Sequence, residues 1–173
     1  MIVALDVHYQ DPAATAAAVW FGEWAAGAPA GEATAHIPQV APYEPGAFYR
    51  RELPCLLAVL EKVPRDLRAV VIDGYVWLAG EDHPGLGAHL FQALGGAVPV
   101  IGVAKTLYHG ASHARAVLRG GSRQPLWITA AGMPIGEAVV ALAAMHGEAR
   151  LPTLLKRVDR LARAGSLAVR EGD

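Results

Sequence analysis

The sequence predicts an α/β protein built on a single mixed β-sheet with helices on both faces. Two observations lead to this fold class. The first forty residues contain three strand-like segments joined by short connections, a pattern typical of an antiparallel meander. The remaining residues alternate short apolar runs with segments of helical periodicity, which is typical of parallel strands connected by helices.

Three strands are predicted at the N-terminus. IVALDVHY at 2–9 is an apolar run with an acid at its centre, and further strands are predicted at 14–24 and 31–40. AAGAPAGE supplies the turn between the last two, because Gly and Pro interrupt regular structure. The Pro- and Gly-containing loop APYEPG at 41–46 then separates the meander from the rest of the chain.

Helices and strands alternate after this loop. A helix is predicted at 48–63, with Pro54 marking its start or a kink. The later elements are a buried strand at 67–73, a helix at 84–95, a buried strand at 98–104, a strand at 125–131, and helices at 134–146 and 152–164. Three antiparallel strands followed by parallel strands and helices is the order of the ribonuclease H-like fold.

Composition limits the class of protein. The 173 residues predict one domain over 1–173, and 53% hydrophobic against 18% charged residues excludes global disorder. No apolar stretch approaches the roughly 18–20 residues of a membrane span, and no signal peptide is evident, so we expect a cytoplasmic protein without membrane contact. The single Cys55 excludes an internal disulfide; it is either a buried helix residue or a nucleophile.

Three acids occupy positions where a carboxylate is costly. Asp6 lies in the middle of the first strand, Asp73 ends a strand of Val and Ile, and Glu52 lies in the first turns of a helix that faces the core. A buried carboxylate needs a partner or a metal ion. If the strands carrying Asp6 and Asp73 are neighbours, both carboxylates converge and Glu52 reaches them from the helix. Convergent carboxylates bind hard cations such as Mg²⁺, as in enzymes that cleave phosphodiesters.

A structural alternative exists for each acid taken alone. Asp73 caps the following turn, Asp6 pairs with an arginine, or Glu52 pairs with Arg51 or Lys62. The three acids together favour a site.

Lys105 follows the apolar run VIGVA, so its stem is expected to be enclosed and its ammonium group directed at a phosphate or a water molecule. The alternative is an ordinary exposed lysine at the end of a strand.

Several motifs in sequence order resemble the endonuclease V family. They are ALDVHY, PYEPGAFYRRELPCLLAVL, AVVIDG, HPGLGAHL, VPVIGVAKT and the closing RLPTLLKRVDRLAR, and together they span almost the whole chain. The resemblance implies a ribonuclease H-like nuclease, using Mg²⁺ or Mn²⁺, that acts in nucleic-acid repair or processing. Its expected substrate is deoxyinosine in DNA or inosine in RNA, cut at the second phosphodiester 3′ to the lesion to leave a 3′-hydroxyl and a 5′-phosphate.

The resemblance also implies roles for individual residues. Asp6, Glu52 and Asp73 match the metal ligands, and Lys105 matches the catalytic lysine. Since these four residues carry the reaction in the family, we expect the same here.

Three further residues match the family's substrate-binding positions. Tyr43 matches a tyrosine that wedges into the strand beside a flipped base, and Gly46 and Gly74 match glycines whose backbone lines the base pocket. In the stretch 75–82, which differs from the family, Tyr75 and Trp77 either stack on a base or cover the sheet edge.

One family position is changed. A late S-x-G-H motif, whose His is expected to join the metal site, reads TAAGM at 129–133. Met133 is a poor ligand for a hard cation. The fourth ligand is therefore lost, or is supplied by Asp82 or His83.

Two other functions remain open. A nucleic-acid-binding module without nuclease activity is favoured by Met133, Glu44 and the net charge of −1, and disfavoured by the retained carboxylates and lysine. The other is a nuclease for a different structure such as branched DNA. In every case the expected partner is DNA or RNA, and the expected state is a monomer.

Overall fold

The computed structural model describes residues 1–80 and 83–170, with side chains described as far as Gly165. Seven strands form one sheet in the order β3-β2-β1-β4-β5-β7-β6. The strands are β1 Ile2–Gln10, β2 Ala13–Phe21, β3 Gly31–Ile37, β4 Ala69–Asp73, β5 Val100–Ala104, β6 Arg115–Val117 and β7 Leu126–Ala131. The helices are α1 Tyr49–Leu60, α2 Leu86–Ala93, α3 Ile135–Ala144 and α4 Thr153–Arg170.

Helices cover both faces of the N-terminal meander. β1 and β2 pair antiparallel, as do β2 and β3. Every residue of β2 from Ala14 to Val19 is buried, which explains why this strand reads as a continuous apolar run instead of an alternating one.

The parallel part of the sheet begins next to β1. β1 pairs with β4 and β4 pairs with β5, both parallel, with Leu5 opposite Ile72. The neighbouring strands that the sequence argument required are therefore present, and the predicted mixed α/β sheet is confirmed.

Each face of the sheet has its own apolar core. α3 and α4 cover one face, where Leu142 and Val158 are buried, and α1 and α2 cover the other, where Leu56 and Leu90 are buried. Cys55 lies in the second core, and burial raises the pKa of its thiol to about 11. It is a core residue and not an activated nucleophile.

The far edge of the sheet differs from the prediction. β7 runs antiparallel to β5, and β6 is a three-residue strand that was not predicted. The parallel portion is thus limited to β1, β4 and β5. β7 can run antiparallel to β5 because the connection between them contains no crossover helix, which a parallel pair would need. β6 was missed because three residues are too few to show a periodic pattern in the sequence. No helix within the described ranges has both the length and the apolar character needed to cross a membrane.

Candidate active site at the ends of β1, β4 and β5

Register brings two of the predicted acids together. Leu5 pairs with Ile72, so the next residues, Asp6 and Asp73, lie side by side on adjacent strands. Lys105 follows the last residue of β5, and its Nζ donates a hydrogen bond to Oδ2 of Asp73 at 2.6 Å. Both side chains of this ion pair are about half exposed. Lys105 is therefore not an isolated lysine at a strand end, and Asp73 is paired with a cation instead of capping a turn.

Arg150 holds the backbone beside Lys105. Its guanidinium donates to the carbonyl oxygens of Lys105 and Pro125. The loop that precedes α4 is therefore tied to the end of β5.

Glu52 is the most enclosed acid of the site. It lies in the first turn of α1 and is only 8% exposed. Burial and the charges of Asp6 and Asp73 raise the pKa of Glu52 to about 8. Burial, with the charges of Asp73 and Asp159, likewise raises the pKa of Asp6 to about 7. Burial is the main cause of both shifts and neighbouring negative charge is the second; for Asp6, the charge of Lys105 offsets only part of the shift.

The alternative partners proposed for these acids are engaged elsewhere. Arg51 pairs with Asp11 and lies 4.3 Å from the ring centroid of Tyr9, and Lys62 donates to the carbonyl of Thr34 at 2.6 Å. Among the described side chains, those of residues 1–80 and 83–165, neither Asp6 nor Glu52 forms an ion pair. Glu52 therefore lacks the partners that its structural alternative names, and no described arginine pairs with Asp6.

A fourth acid, Asp159 of α4, was not predicted as a site residue. It lines the same small cleft as Asp6, Asp73 and Lys105. The guanidinium of Arg163 donates hydrogen bonds of 3.1–3.2 Å to both carboxylate oxygens of Asp159, and these bonds lower the pKa of Asp159. The sequence did carry a signal: Asp159 is four residues after buried Leu155, so it continues the core-facing stripe of the helix.

Met133 does not lie at the carboxylates, which corrects the prediction that its position joins the metal site. Ala131, the last residue of β7, pairs with Val100, the first residue of β5. Met133 is therefore near the start of β5, whereas Lys105 follows its end. The antiparallel pairing of β7 with β5, which the sequence pattern did not reveal, is the reason for this difference.

The proposed substitutes for that ligand are not supported. Asp82 lies outside the described residues. His83 is exposed and does not line the cleft; its carbonyl accepts a hydrogen bond from the N–H of Leu78 at 2.9 Å.

The donor set suits a divalent cation. Four carboxylates from β1, α1, β4 and α4 supply the hard oxygen ligands that Mg²⁺ and Mn²⁺ prefer. As the side chains stand, the described part of the chain contains no group of three or more His, Cys, Asp or Glu close enough to coordinate one ion. Two of the acids, Asp73 and Asp159, form ion pairs with Lys105 and Arg163. The other two, Asp6 and Glu52, have raised pKa values, and a bound cation would stabilise their charged forms.

An open pocket of about 350 Å³ adjoins the cleft at Asp73. Gly46 and Gly74 line it with φ angles of +79° and +125°, in the region that favours glycine. The other lining residues are Phe48, Tyr49, Tyr75, Leu78, Pro84, Gly85, Leu86 and Tyr108. Both predicted glycines therefore lie in one pocket, whereas Tyr43 is exposed on the preceding loop and is not among the lining residues.

Tyr75 and Trp77 take different roles. Trp77 donates its Nε1–H to the carbonyl of Ala130 at 2.9 Å and packs on the core, so it covers the sheet. Tyr75 lines the pocket. Glu44, on the loop before the pocket, forms an ion pair with Arg50 at 3.0 Å, which offsets its charge.

Comparison with known proteins agrees with this architecture. The sequence model of the Endonuclease V family matches residues 1–146. Endonuclease V of Streptomyces coelicolor is 33% identical over 190 residues, an alignment that covers 94% of this chain and 78% of that protein.

Solved structures show the same fold. The crystal structure of endonuclease V from Streptomyces avermitilis has a TM-score of 0.79 at 29% identity, covering 99% of this chain and 82% of that one. Endonuclease V of Ciona intestinalis, in complex with a 24-mer DNA containing an inosine followed by a ribo-adenosine, has a TM-score of 0.80 at 17% identity, covering 97% and 86%. The ribonuclease H-like fold is thereby confirmed, and the chain belongs to the endonuclease V family, a family of hydrolytic endonucleases.

Proposed function

We propose that this protein is a metal-dependent endonuclease that hydrolyses a phosphodiester bond near a deaminated purine, either deoxyinosine in DNA or inosine in RNA. One observation carries the proposal. Asp73 borders both the carboxylate cleft and the glycine-lined pocket. A base held in the pocket therefore brings the phosphates of its own strand to the carboxylates. The inosine-containing DNA bound to the similar Ciona intestinalis protein supports this choice of substrate.

Asp6, Glu52, Asp73 and Asp159 are the residues that would hold Mg²⁺ or Mn²⁺. A cation bound there would neutralise phosphate charge and promote ionisation of the attacking water. The raised pKa values of Asp6 and Glu52 fit this role, because burial and the neighbouring acids disfavour their charged forms, and a bound cation would favour those forms.

Lys105 is the cationic side chain of the reaction. Partial burial lowers its pKa, but the hydrogen bond and charge of Asp73 outweigh that effect and raise the pKa overall, so the ammonium group stays charged. It can contact a phosphate oxygen while remaining against Asp73. The oxygen of water bonds to phosphorus and the water gives up a proton; the bond from phosphorus to O3′ breaks, and O3′ takes up a proton.

The loop that carries Tyr43 and the pocket lined by Gly46 and Gly74 bind the substrate. Gly46 and Gly74 have no Cβ, and nothing lies within 4 Å of where one would project, so a base can approach their backbone. Tyr43 is exposed three residues before Gly46, where its ring can fill the gap left by a flipped base.

Cleavage of labelled oligonucleotides tests the proposal. Single- and double-stranded DNA and RNA, each with or without one inosine, are incubated with Mg²⁺ or Mn²⁺ and with wild type or Asp73→Asn. We expect inosine-dependent cutting by wild type, and none by the variant, which loses a charged ligand but little volume. Circular dichroism verifies that the variant is folded.

The other outcomes separate the alternatives. Full activity of Asp73→Asn would exclude the metal-site assignment. Binding without cleavage of any substrate would indicate the inactive nucleic-acid-binding module. Cutting that ignores inosine would indicate a nuclease for another nucleic-acid structure.

A further inference from the structure

We infer that Tyr75 and Tyr108 form a stacking platform for an unpaired nucleotide, with Tyr108 contacting the base and Tyr75 positioning Tyr108. The inference rests on the proposed function and names the form of substrate that the same site selects, a single strand in preference to a duplex.

Hydrogen bonds of Tyr75 fix the segment after Lys105. Its hydroxyl donates to the carbonyl of Thr106 at 2.7 Å and accepts from the backbone N–H of Tyr108 at 2.9 Å. The rings of Tyr75 and Tyr108 are 6.2 Å apart at 60°. One side chain, directly after Gly74, thus ties the end of β4 to the segment after β5 and sets the orientation of Tyr108.

Tyr108 is nevertheless available to a ligand. It keeps 48% of its surface exposed and lines the pocket that Asp73 shares with the cleft. Phe48, also exposed, lines the same pocket, and exposed Leu107 precedes Tyr108 in the chain. Large apolar groups concentrated beside a catalytic cleft indicate a binding surface.

The charge of the pocket indicates what binds it. None of the described residues that line it is basic, and Asp73 is the acidic one among them. Attraction of phosphate therefore contributes little here, and aromatic faces are the main source of affinity. Aromatic side chains stack on bases of any sequence when the base faces are free. In a duplex those faces are covered by neighbouring bases until a base is flipped out, and flipping costs unpairing and unstacking energy, so the platform favours nucleotides that are already unpaired.

Fluorescence anisotropy with labelled oligonucleotides tests the inference. One sequence containing a single inosine is used as a single strand and as a duplex. Ca²⁺ replaces Mg²⁺ to limit cleavage, and a denaturing gel verifies that the strand stays intact. The variants are Tyr108→Ala, Tyr108→Phe and Tyr75→Phe. Leu118→Ala is the matched control, because Leu118 is 65% exposed but follows β6 at the far edge of the sheet.

We expect Tyr108→Ala to bind the single strand about 10-fold more weakly, equivalent to about 1.4 kcal/mol, and to bind the duplex within about twofold of wild type. Tyr108→Phe keeps the ring and is expected to bind like wild type, as is Leu118→Ala. Tyr75→Phe loses only the hydroxyl bridge and is expected to weaken single-strand binding. If Tyr108→Ala melts below wild type, Tyr108→Leu replaces it, since leucine keeps apolar bulk without a ring.

Three results would overturn the platform: wild-type binding by Tyr108→Ala, equal losses for single strand and duplex, or a loss in Tyr108→Phe as large as in Tyr108→Ala. Failure of the proposed function has a different signature. It removes metal-dependent cleavage from the wild-type protein, whereas failure of the platform leaves that cleavage in place.

Discussion

The four acids of the site are of two kinds: two form an ion pair with a basic side chain, and two do not. Asp73 and Asp159 are paired with Lys105 and Arg163. In the described part of the chain, Asp6 and Glu52 lack such a partner, although both are more enclosed. Lys105 was predicted at the site, whereas Arg163 was not; Arg163 pairs with Asp159, an acid that could otherwise bind a metal ion.

Asp159→Asn is expected to weaken Mn²⁺ binding by at least about 10-fold, since it removes one charged oxygen ligand from the cleft. Isothermal titration calorimetry of the protein without nucleic acid measures the change. Met133→His is the control and is expected to leave the titration unchanged, because Met133 lies near the start of β5. Unchanged Mn²⁺ affinity in Asp159→Asn, or tighter binding in Met133→His, would contradict this assignment.

At the scale of elements, the site depends on how closely the segment after β4 packs on β5. Gly74 donates its N–H to the carbonyl of Val103 at 3.0 Å, and Val76 donates its N–H to Oγ1 of Thr129 at 2.8 Å. Gly102 of β5 lies where the segment Gly74–Val76 passes over the strand, a place that we call the crossing. A Cβ at Gly102 would be 2.6 Å from the carbonyl oxygen of Gly74 and 2.7 Å from Oγ1 of Thr129.

Gly102→Ala is expected to destabilise the fold by about 1–3 kcal/mol, because backbone atoms must move to accept the methyl group. It is also expected to reduce inosine cleavage, since the displaced backbone carries Gly74 next to Asp73. Urea denaturation measures the first effect and oligonucleotide cleavage the second.

Gly136→Ala is the matched control. Gly136 is the second residue of α3, with nothing within 4 Å of where an added methyl group would project, so alanine is expected to stabilise the protein by about 0.4–1 kcal/mol, chiefly by restricting the unfolded chain. Equal stability of the two variants would show that the crossing over Gly102 is looser than the structure indicates.

The loop that carries Tyr43 is a second element with a separable role. Tyr43 is exposed, so Tyr43→Ala is expected to leave the melting temperature and Mn²⁺ binding unchanged. Lesion discrimination, measured as the ratio of cleavage rates with and without inosine, is expected to fall about 10-fold, consistent with the loss of one base–aromatic contact. An unchanged ratio would remove Tyr43 from the site.

For the whole molecule, folding creates the concentration of charge. Asp6, Glu52, Asp73 and Asp159 come from four elements that are distant in sequence, so the repulsion among them and the burial of two of them exist only in the folded chain. The protein is therefore expected to carry a pH-dependent cost of folding whenever no divalent cation is present.

That cost has a defined sign. The pKa of Asp6 rises to about 7 and that of Glu52 to about 8 on folding, so the folded state holds protons that the unfolded state has released. Without metal, stability is expected to fall from about pH 4 up to about pH 7 for Asp6 and about pH 8 for Glu52, by up to about 1.4 kcal/mol per pH unit for each group. The lowered pKa of Asp159 acts only at more acidic pH.

Urea denaturation at a series of pH values in EDTA measures this slope. Glu52→Gln is expected to remove about half of it and to raise stability near pH 8. Added Mg²⁺ is expected to stabilise wild type at pH 8 more than Glu52→Gln, because a ligand that binds only the folded state shifts the equilibrium toward it. Stability that rises from pH 5 to pH 7 in EDTA would contradict the shared burial of these acids.

The amino-acid sequence by itself determined the elements and the main site residues. Apolar runs and helical periodicity located the strands and helices to within a few residues, and acids inside apolar runs marked Asp6 and Asp73. Burial gives such residues a local signature, since a carboxylate among Val and Ile is conspicuous without any knowledge of its neighbours. The core-facing helix marked Glu52 and the apolar run VIGVA marked Lys105, and the family motifs added their expected roles.

Only the tertiary structure decided which distant residues share the cleft. The antiparallel pairing of β7 with β5 moved Met133 away from the carboxylates, and the packing of α4 on the sheet brought Asp159 to them. The bridge from Tyr75 to the backbone of Thr106 and Tyr108 arises in the same way. Strand direction is set by long-range packing, which leaves no periodic mark in the local sequence. The core-facing stripe of α4 includes Asp159, but the stripe does not say which part of the sheet it meets, so these three features came from the folded molecule.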